Sequence, residues 1–273
     1  MKDGGGRVIE RAKVVLILRG LGWISGLPAG ADVNQAFSAI LASPYASRLV
    51  QYRGIRRPSF VDTISDVTEI GHKGPDPRGF LTTQVLLIDT SEIVQAVKGA
   101  RKKGRREPLG DDALYLVIVS GDPLPIFSET RFINAGGFHA QFTDDDGTIV
   151  TYGAVLNWSK NTADNIWNSP LGLPAALTHE MTEAVSDPAN GFRLDNGEEI
   201  ADLNDVRAVR LPGIARDLGL AAYFSDLESA AVVPTFYSFR VTFGLHSSQT
   251  LASVRNVLGG TSVLAAMRGK LEP

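Results

Sequence analysis

Short apolar runs along the chain predict its strands. Val14–Leu18 and Leu114–Val119 are uninterrupted and rich in β-branched residues, which is typical of strands buried on both faces. Further along, two apolar runs flank the polar turn Thr143–Thr148, and the first of them alternates apolar with polar positions in its second half. We therefore predict a β-hairpin over Phe138–Leu156.

Apolar residues spaced three and four positions apart predict helices. One covers residues 32–49, with Asp32 as its N-cap and a break near Pro44, and a second covers Val85–Lys98. A third helix is predicted around the segment Leu177–Pro188, and the pair Asp187-Pro188 is the signal that ends it.

The remaining segments give weaker patterns. We predict a strand at 60–70, an irregular segment at 206–220, strands at 232–234 and 236–243, and short helices at 248–257 and 262–271. No repeat or linker divides the chain, so we predict a single α+β domain over residues 1–273, with a mixed sheet and flexible residues 1–12.

Composition narrows the classes of function. The chain has 273 residues, a net charge of −3 and no cysteine, which excludes disulfides and thiolate metal sites. The acidic balance gives no reason to expect a nucleic-acid or membrane partner, and the basic run 98–106 is interpreted as a solvated surface loop. The oligomeric state and the compartment stay open.

The third predicted helix carries the candidate chemistry. On a helix, His179 and Glu183 project from one face about one turn apart, and Glu180 lies about 100° round from His179. The related H-E-x-x-H arrangement holds zinc with two histidines and activates water with the glutamate. Here Glu183 stands in place of the second histidine. The alternative interpretation is a solvent-facing helix without a metal.

A metal site needs a third protein ligand, and two segments are candidates to approach the helix. Glu198–Asp202 follows a turn-rich stretch that can fold back over it, and His139 lies in a predicted strand. A calcium site built from Asp195, Glu199 and Asp202, without His179, is a further possibility.

The same residues resemble a known group of proteins. The string His179–Pro188, then Gly191-Phe192, then Glu199–Asp202, is similar to bacterial and fungal metalloprotease-like proteins with the pattern H-E-x-x-E-A-V/I-S/T-D-P followed by E-I-G/A-D. That group is distantly similar to the plant phosphate-induced, exordium-like proteins. The resemblance touches most of residues 14–234, and its specific part is 179–202.

The resemblance implies a zincin-like active-site helix and a peptide or protein substrate. It implies His179 and Glu183 as zinc ligands, Glu199 or Asp202 as the third, and Glu180 as the general base. It also implies secretion, although no signal-peptide pattern is visible and Leu203-Asn204 stands where the group carries a cysteine.

Two further residues are candidates for a catalytic role. Tyr223 or His139 could stabilise an oxyanion, or each could simply be structural. Two functional hypotheses result. The first is a zinc-dependent, peptidase-like hydrolase, and the second is a non-catalytic binding protein with a structural or degenerate metal site.

Overall fold

A computed structural model describes residues 1–21, 23, 30–79, 81, 83–103, 109–121, 123–130, 135–157, 172–189, 191–196, 198–202, 206–225 and 230–234. The chain divides into two units, Met1–Val233 and Pro234–Pro273, and the described residues except Pro234 belong to the first. The strand predicted at 236–243 and the helices predicted at 248–257 and 262–271 lie outside the described residues.

The described part of the chain has an α+β fold with four helices and mixed sheets. The helices are α1 (Gly30–Ala42), α2 (Pro44–Ser47), α3 (Thr90–Lys103) and α4 (Leu173–Ser186). The strands are β1 (Lys2–Asp3), β2 (Lys13–Arg19), β3 (Ser59–Asp66), β4 (His72–Pro75), β5 (Gln84–Ile88), β6 (Ala113–Val119), β7 (Pro125–Phe127), β8 (Gly137–Thr143), β9 (Ile149–Leu156), β10 (Phe192–Arg193), β11 (Val206–Arg210), β12 (Asp217–Ala221), β13 (Tyr223–Ser225) and β14 (Ala230–Val232). None of the described helices is long and apolar enough to cross a lipid bilayer.

The largest sheet has five strands in the order β3-β2-β6-β9-β8. The first four run parallel, and β8 pairs antiparallel with β9 at one edge. Every residue of β6 is buried, as the uninterrupted apolar run predicts for a central strand. The predicted hairpin is confirmed, with Phe138 opposite Ala154. A second sheet has the strand order β4-β5-β7, and its buried residues share an apolar core with one face of the first sheet.

Alternate residues of the central strands fill two apolar cores on opposite faces of the sheet. Leu116 of β6 joins the core that contains α1 and α4, whereas Val117 joins the core that contains α3. Phe138 of β8 belongs to the second core. The next residue, His139, therefore points to the other face, where α4 packs against β8 and β9.

The helix predicted over Val85–Lys98 is wrong in its first part, which is strand β5. The helix begins only after Asp89, whose carboxylate accepts a hydrogen bond from the Ser91 amide at 2.7 Å. Glu92 in turn accepts from the Asp89 amide at 3.0 Å, which completes a capping box. A short apolar run fits a strand or a buried helix equally well, so the start signal decides the boundary.

The basic run is not the surface loop that the sequence predicts, because its residues up to Lys103 complete α3. Residues 104–108 lie outside the described part. Lys98 pairs with Asp145 at 2.8 Å, and Arg101 pairs with Asp144. The basic end of the helix therefore has acidic partners in the hairpin turn between β8 and β9.

The segment 206–220, predicted to be irregular, forms an antiparallel hairpin of β11 and β12. Pro212 and Gly213 supply the turn rather than a break, and Gly213 has a positive φ of 78°. Gly219 lies inside β12 and pairs with Ala208. A hairpin is hard to predict from the sequence when its two strands show no clear alternation of apolar and polar residues and only the turn residues stand out.

Residues 1–12, expected to be flexible, pack against the end of α4 in this structure. β1 pairs with β10, and the Gly4 amide donates to the Gly191 carbonyl at 2.7 Å. Ile9 is fully buried and its amide donates to the Val185 carbonyl at 2.9 Å. These partners lie far away in the sequence, which is why the local polar pattern does not reveal them.

Tyr45 of α2 ties α4 to the β11–β12 hairpin. Its ring is fully buried, and its hydroxyl donates to the Ala221 carbonyl at 2.9 Å and lies 3.2 Å from Thr182 Oγ1. Tyr223 then donates to the Tyr45 carbonyl at 3.0 Å. This network holds the side of α4 that carries Thr178 and Thr182.

We expect Tyr45→Phe to lower the free energy of unfolding by about 1–3 kcal/mol, because it leaves a buried carbonyl without its donor. Urea unfolding followed by circular dichroism measures the change. Val50→Ala is the control, since Val50 is 54% exposed and its truncation removes little buried area. A loss for Tyr45→Phe no larger than that of the control would contradict this role.

Candidate metal centre

Helix α4 buries two carboxylates inside the domain. The predicted helix is confirmed as Leu173–Ser186, and Glu180 and Glu183 are only 4% and 2% exposed. His179, one turn before Glu183, is half-buried. The interpretation as a solvent-facing helix is therefore wrong, because the acidic face of α4 packs toward the sheet.

Glycines in the hairpin let the helix come close to the sheet. A Cβ at Gly137 of β8 would lie 2.6 Å from Glu180 Oε1 and 2.9 Å from the Ala154 carbonyl oxygen. A Cβ at Gly153 of β9 would lie 2.9 Å from Leu116 Cδ2. Because Gly137 leaves space for Glu180, β8 brings His139 against the helix.

The segment after β10 folds back over α4, as the turn-rich sequence predicts. Ile200 is fully buried, and its carbonyl accepts from the Phe224 amide at 2.8 Å. With Ile200 anchored in the core, Glu199 and Asp202 line the same cleft as the helix carboxylates. The cleft has a volume of about 440 Å³.

The first donor group combines the helix with this segment. His179 Nε2 lies 3.1 Å from Glu183 Oε2 and 3.6 Å from Asp202 Oδ1. The three donor atoms form a group within 4.8 Å of one another that could hold a metal ion. Asp202 and not Glu199 completes it, although the sequence left both open.

The second donor group centres on His139. Its Nδ1 lies 3.6 Å from Glu180 Oε2 and 3.7 Å from Glu183 Oε2. The three residues form a group that could also hold a metal ion, and Glu183 belongs to both groups. Glu199 Oε2 is a further 3.7 Å neighbour of His139 Nδ1.

The chemistry of these donors fits a divalent cation. Imidazole nitrogen and carboxylate oxygen are ligands of zinc and related metals. In addition, Glu180 Oε2 and Glu183 Oε1 are buried without a hydrogen-bond partner. A buried carboxylate oxygen left unsatisfied costs about 1–3 kcal/mol or more, and a cation removes that cost.

Another acidic residue of the cleft, Asp187, which the sequence analysis used only as a helix stop signal, orders its neighbours. Asp187 Oδ2 pairs with Arg193 Nε at 2.8 Å, and Asp187 Oδ1 accepts from the Gly191 amide. Arg193 also pairs with Glu199 Oε1 at 2.8 Å. The Asp187 carbonyl lies 3.2 Å from His139 Nε2. Because a carbonyl can only accept, Nε2 carries the proton there.

The carboxylates change the protonation of their neighbours. Burial disfavours the charged form of His139, but Glu180, Glu199 and Glu183 outweigh it and raise its pKa to about 9. For His179, burial is likewise outweighed, mainly by Glu183, and its pKa also rises to about 9. Burial raises the pKa of Glu183, although His179 partly opposes this.

Two predicted site residues lie elsewhere. Tyr223 is fully buried beside Tyr45, and its hydroxyl donates to the Tyr45 carbonyl rather than facing the cleft. Asp195, proposed for a calcium site, lies 3.4 Å from the amino group of Met1 and belongs to neither donor group found among the described residues. The cleft therefore unites His139, His179 and Glu180 with Glu183, Glu199 and Asp202.

A scan against protein-family models finds none that matches the chain, and a search of curated proteins finds no significant match. The resemblance of residues 179–202 to metalloprotease-like proteins stays a prediction.

We expect Gly137→Ala to destabilise the protein by about 1–3 kcal/mol, because the new methyl group would overlap Glu180. Gly99→Ala in α3 is the matched control, since a Cβ at Gly99 meets nothing within 4 Å. That control is expected to stabilise by up to about 1 kcal/mol, as alanine favours a helix over glycine. Thermal unfolding of both variants measures the two opposite signs. Equal effects would show that the space at Gly137 is not needed.

The metal-free protein should lose stability as pH rises from about 6.5 to 9. Both histidines have a pKa near 6.5 when unfolded and about 9 when folded, so the folded chain binds more protons in this window. Their contribution is complete below pH 6.5 and is lost as pH rises through 9. The melting temperature of chelator-treated protein should therefore fall with pH, less steeply in His139→Gln. A constant or rising melting temperature would contradict the raised values.

Proposed function

We propose that the protein is a zinc-dependent, peptidase-like hydrolase. Zinc is held by His179, Glu183 and Asp202, and Glu180 is the general base. The observation that carries the proposal is the pair of buried carboxylates, both with unpartnered oxygens, in a cleft that also contains two histidines. Asp202 is 43% exposed at its side chain, so the group is accessible from solvent.

The contacts favour Asp202 over Glu199 as the third ligand. Asp202 approaches His179 to 3.6 Å, and its other oxygen accepts from the Glu199 amide at 3.1 Å, which fixes its orientation. Glu199 is held by Arg193 and faces His139 instead. A ligand whose second oxygen is hydrogen-bonded is already positioned for the metal.

Zinc held by His179, Glu183 and Asp202 would supply a Lewis acid able to polarise a carbonyl group and to lower the pKa of water. Glu180 accepts a proton from the attacking water through one oxygen of its buried carboxylate and delivers it to the leaving amine. In the metal-free protein His139, 3.6 Å from Glu180 Oε2, holds positive charge beside this carboxylate and favours its ionised form. With two carboxylates in the ligand set, we expect a weaker hydrolase than an H-E-x-x-H enzyme.

The edge strand supports a peptide substrate. β8 lies at the end of the five-stranded sheet, and no described strand pairs with its outer side. Four of its residues, from Gly137 to Ala140, line the cleft. An extended peptide can add to such an edge through main-chain hydrogen bonds and present its backbone to the metal group.

Glu180→Gln should lower the rate of peptide hydrolysis by about 10²- to 10⁴-fold, because it removes the proton acceptor. Zinc in the group of His179 should be retained, since Glu180 is not one of its members. Glu198→Gln is the matched control, as Glu198 is exposed and close in sequence to the ligand segment. Turnover of a peptide library and elemental analysis of both variants measure the two properties.

Three outcomes separate the hypotheses. Full activity in Glu180→Gln, or a protein that binds no metal, would refute the hydrolase. Retained metal without turnover of any peptide in the wild type would favour the alternative, a binding protein with a structural metal site.

A further inference from the structure

The donor atoms around His139 have a spacing similar to that of the ligands of one metal ion. Three carboxylate oxygens, from Glu180, Glu183 and Glu199, lie 3.6 to 3.7 Å from His139 Nδ1. That is too long for good hydrogen bonds. Ligands bound at roughly 2.0–2.1 Å to one tetrahedral zinc ion lie about 3.3–3.4 Å apart, which is close to the observed spacing.

The ring of His139 already has the orientation of a metal ligand. Its Nε2 donates to the Asp187 carbonyl at 3.2 Å, which orients the ring and leaves Nδ1 facing the carboxylates. Metal-binding histidines usually donate their other ring nitrogen in this way, often to a backbone carbonyl. Arg193 similarly holds Glu199 by Oε1 and leaves Oε2 toward His139.

A separate observation points to a bound cation at this position. Glu180 Oε2 has no hydrogen-bond partner, its residue is only 4% exposed, and this is the oxygen nearest His139 Nδ1. Glu183 Oε1 is in the same state, at 2% exposure. Hydrogen bonds satisfy nearly all buried polar atoms in folded proteins, so two unpartnered oxygens in one cleft require an explanation.

The charge of the cleft favours two cations over one. Among the described residues that line it, five are carboxylates and one is an arginine. With every carboxylate ionised, one divalent cation at the His179 group and a protonated His139 leave an excess of about one negative charge, whereas two cations with neutral histidines balance the cleft. The carboxylates are Glu180, Glu183, Asp187, Glu199 and Asp202.

We infer that His139, Glu180 and Glu183, with Glu199 beside them, form a second divalent-cation site that shares Glu183 with the group of His179. Glu183 Oε2 lies 3.1 Å from His179 Nε2 and 3.7 Å from His139 Nδ1, so one carboxylate faces both positions. Carboxylate bridging is compatible with the roughly 3.5–4 Å between ions in two-metal hydrolases. The inference rests on the proposed function for the first cation and adds a second one to it.

The test is the zinc stoichiometry of the full chain. Metal-free protein is titrated with zinc against a chromophoric chelator, and bound zinc is then measured by elemental analysis. We expect about two equivalents for the wild type and about one for His139→Ala. His72→Ala, an exposed histidine on β4, should keep both. One equivalent in the wild type, or two in His139→Ala, would overturn the inference.

A more conservative substitution tests the second site with less risk that the variant misfolds. Glu199→Gln keeps His139 and the bond to Arg193 but removes a charged oxygen, so zinc at the second site should bind about 10- to 100-fold more weakly. Unchanged affinity at both positions would count against the second site.

His179→Ala separates this inference from the proposed function. A wild type whose single equivalent is lost in His179→Ala keeps the proposed zinc site and refutes the second. A single equivalent lost in His139→Ala but kept in His179→Ala refutes both the proposed ligand set and the pair.

Discussion

The structure around the cleft depends on the burial of Glu180 and Glu183. A charged carboxylate taken out of water costs several kcal/mol unless positive charge and hydrogen bonds replace its hydration. The fold places His139 and His179 beside these carboxylates. Two carboxylate oxygens nevertheless have no hydrogen-bond partner. That remaining cost is the strongest physical argument for the proposed metal site on this face of α4. Apolar residues at these two positions would avoid the cost of burying carboxylates without partners.

The geometry of the sheet selects which side chains reach the helix. Phe138 enters the core with α3, so His139 necessarily faces α4. Gly137 leaves the space that Glu180 of the helix occupies, and Gly153 leaves space for Leu116 of β6. On the opposite side of α4, Tyr45 and its hydrogen bonds fix the helix to the β11–β12 hairpin. The position of the two buried carboxylates is thus set from both sides.

Sequence periodicity predicted the parts of the site that depend on local structure. The helical spacing placed His179 and Glu183 on one face, and the alternation in the hairpin placed His139 in a strand. It did not reveal the roles of Arg193 or Gly137, because each depends on a contact made across the fold. The boundary between β5 and α3 was missed for a different reason. Val85–Ile88 is too short for its period to distinguish strand from helix, and Asp89 and Glu92 carried the deciding capping signal.

The donor residues come from three segments spread over positions 139–202, and this separation has a thermodynamic consequence. In the unfolded chain His139 is far along the sequence from the helix donors, so a cation finds no assembled site there. A cation with negligible affinity for the unfolded chain stabilises the fold by RT ln(1 + [M]/Kd), which is about 2.7 kcal/mol at a hundredfold excess over Kd. Under the proposed metal binding, metal supply and global unfolding are linked, and the apparent stability of this domain would follow the free metal concentration.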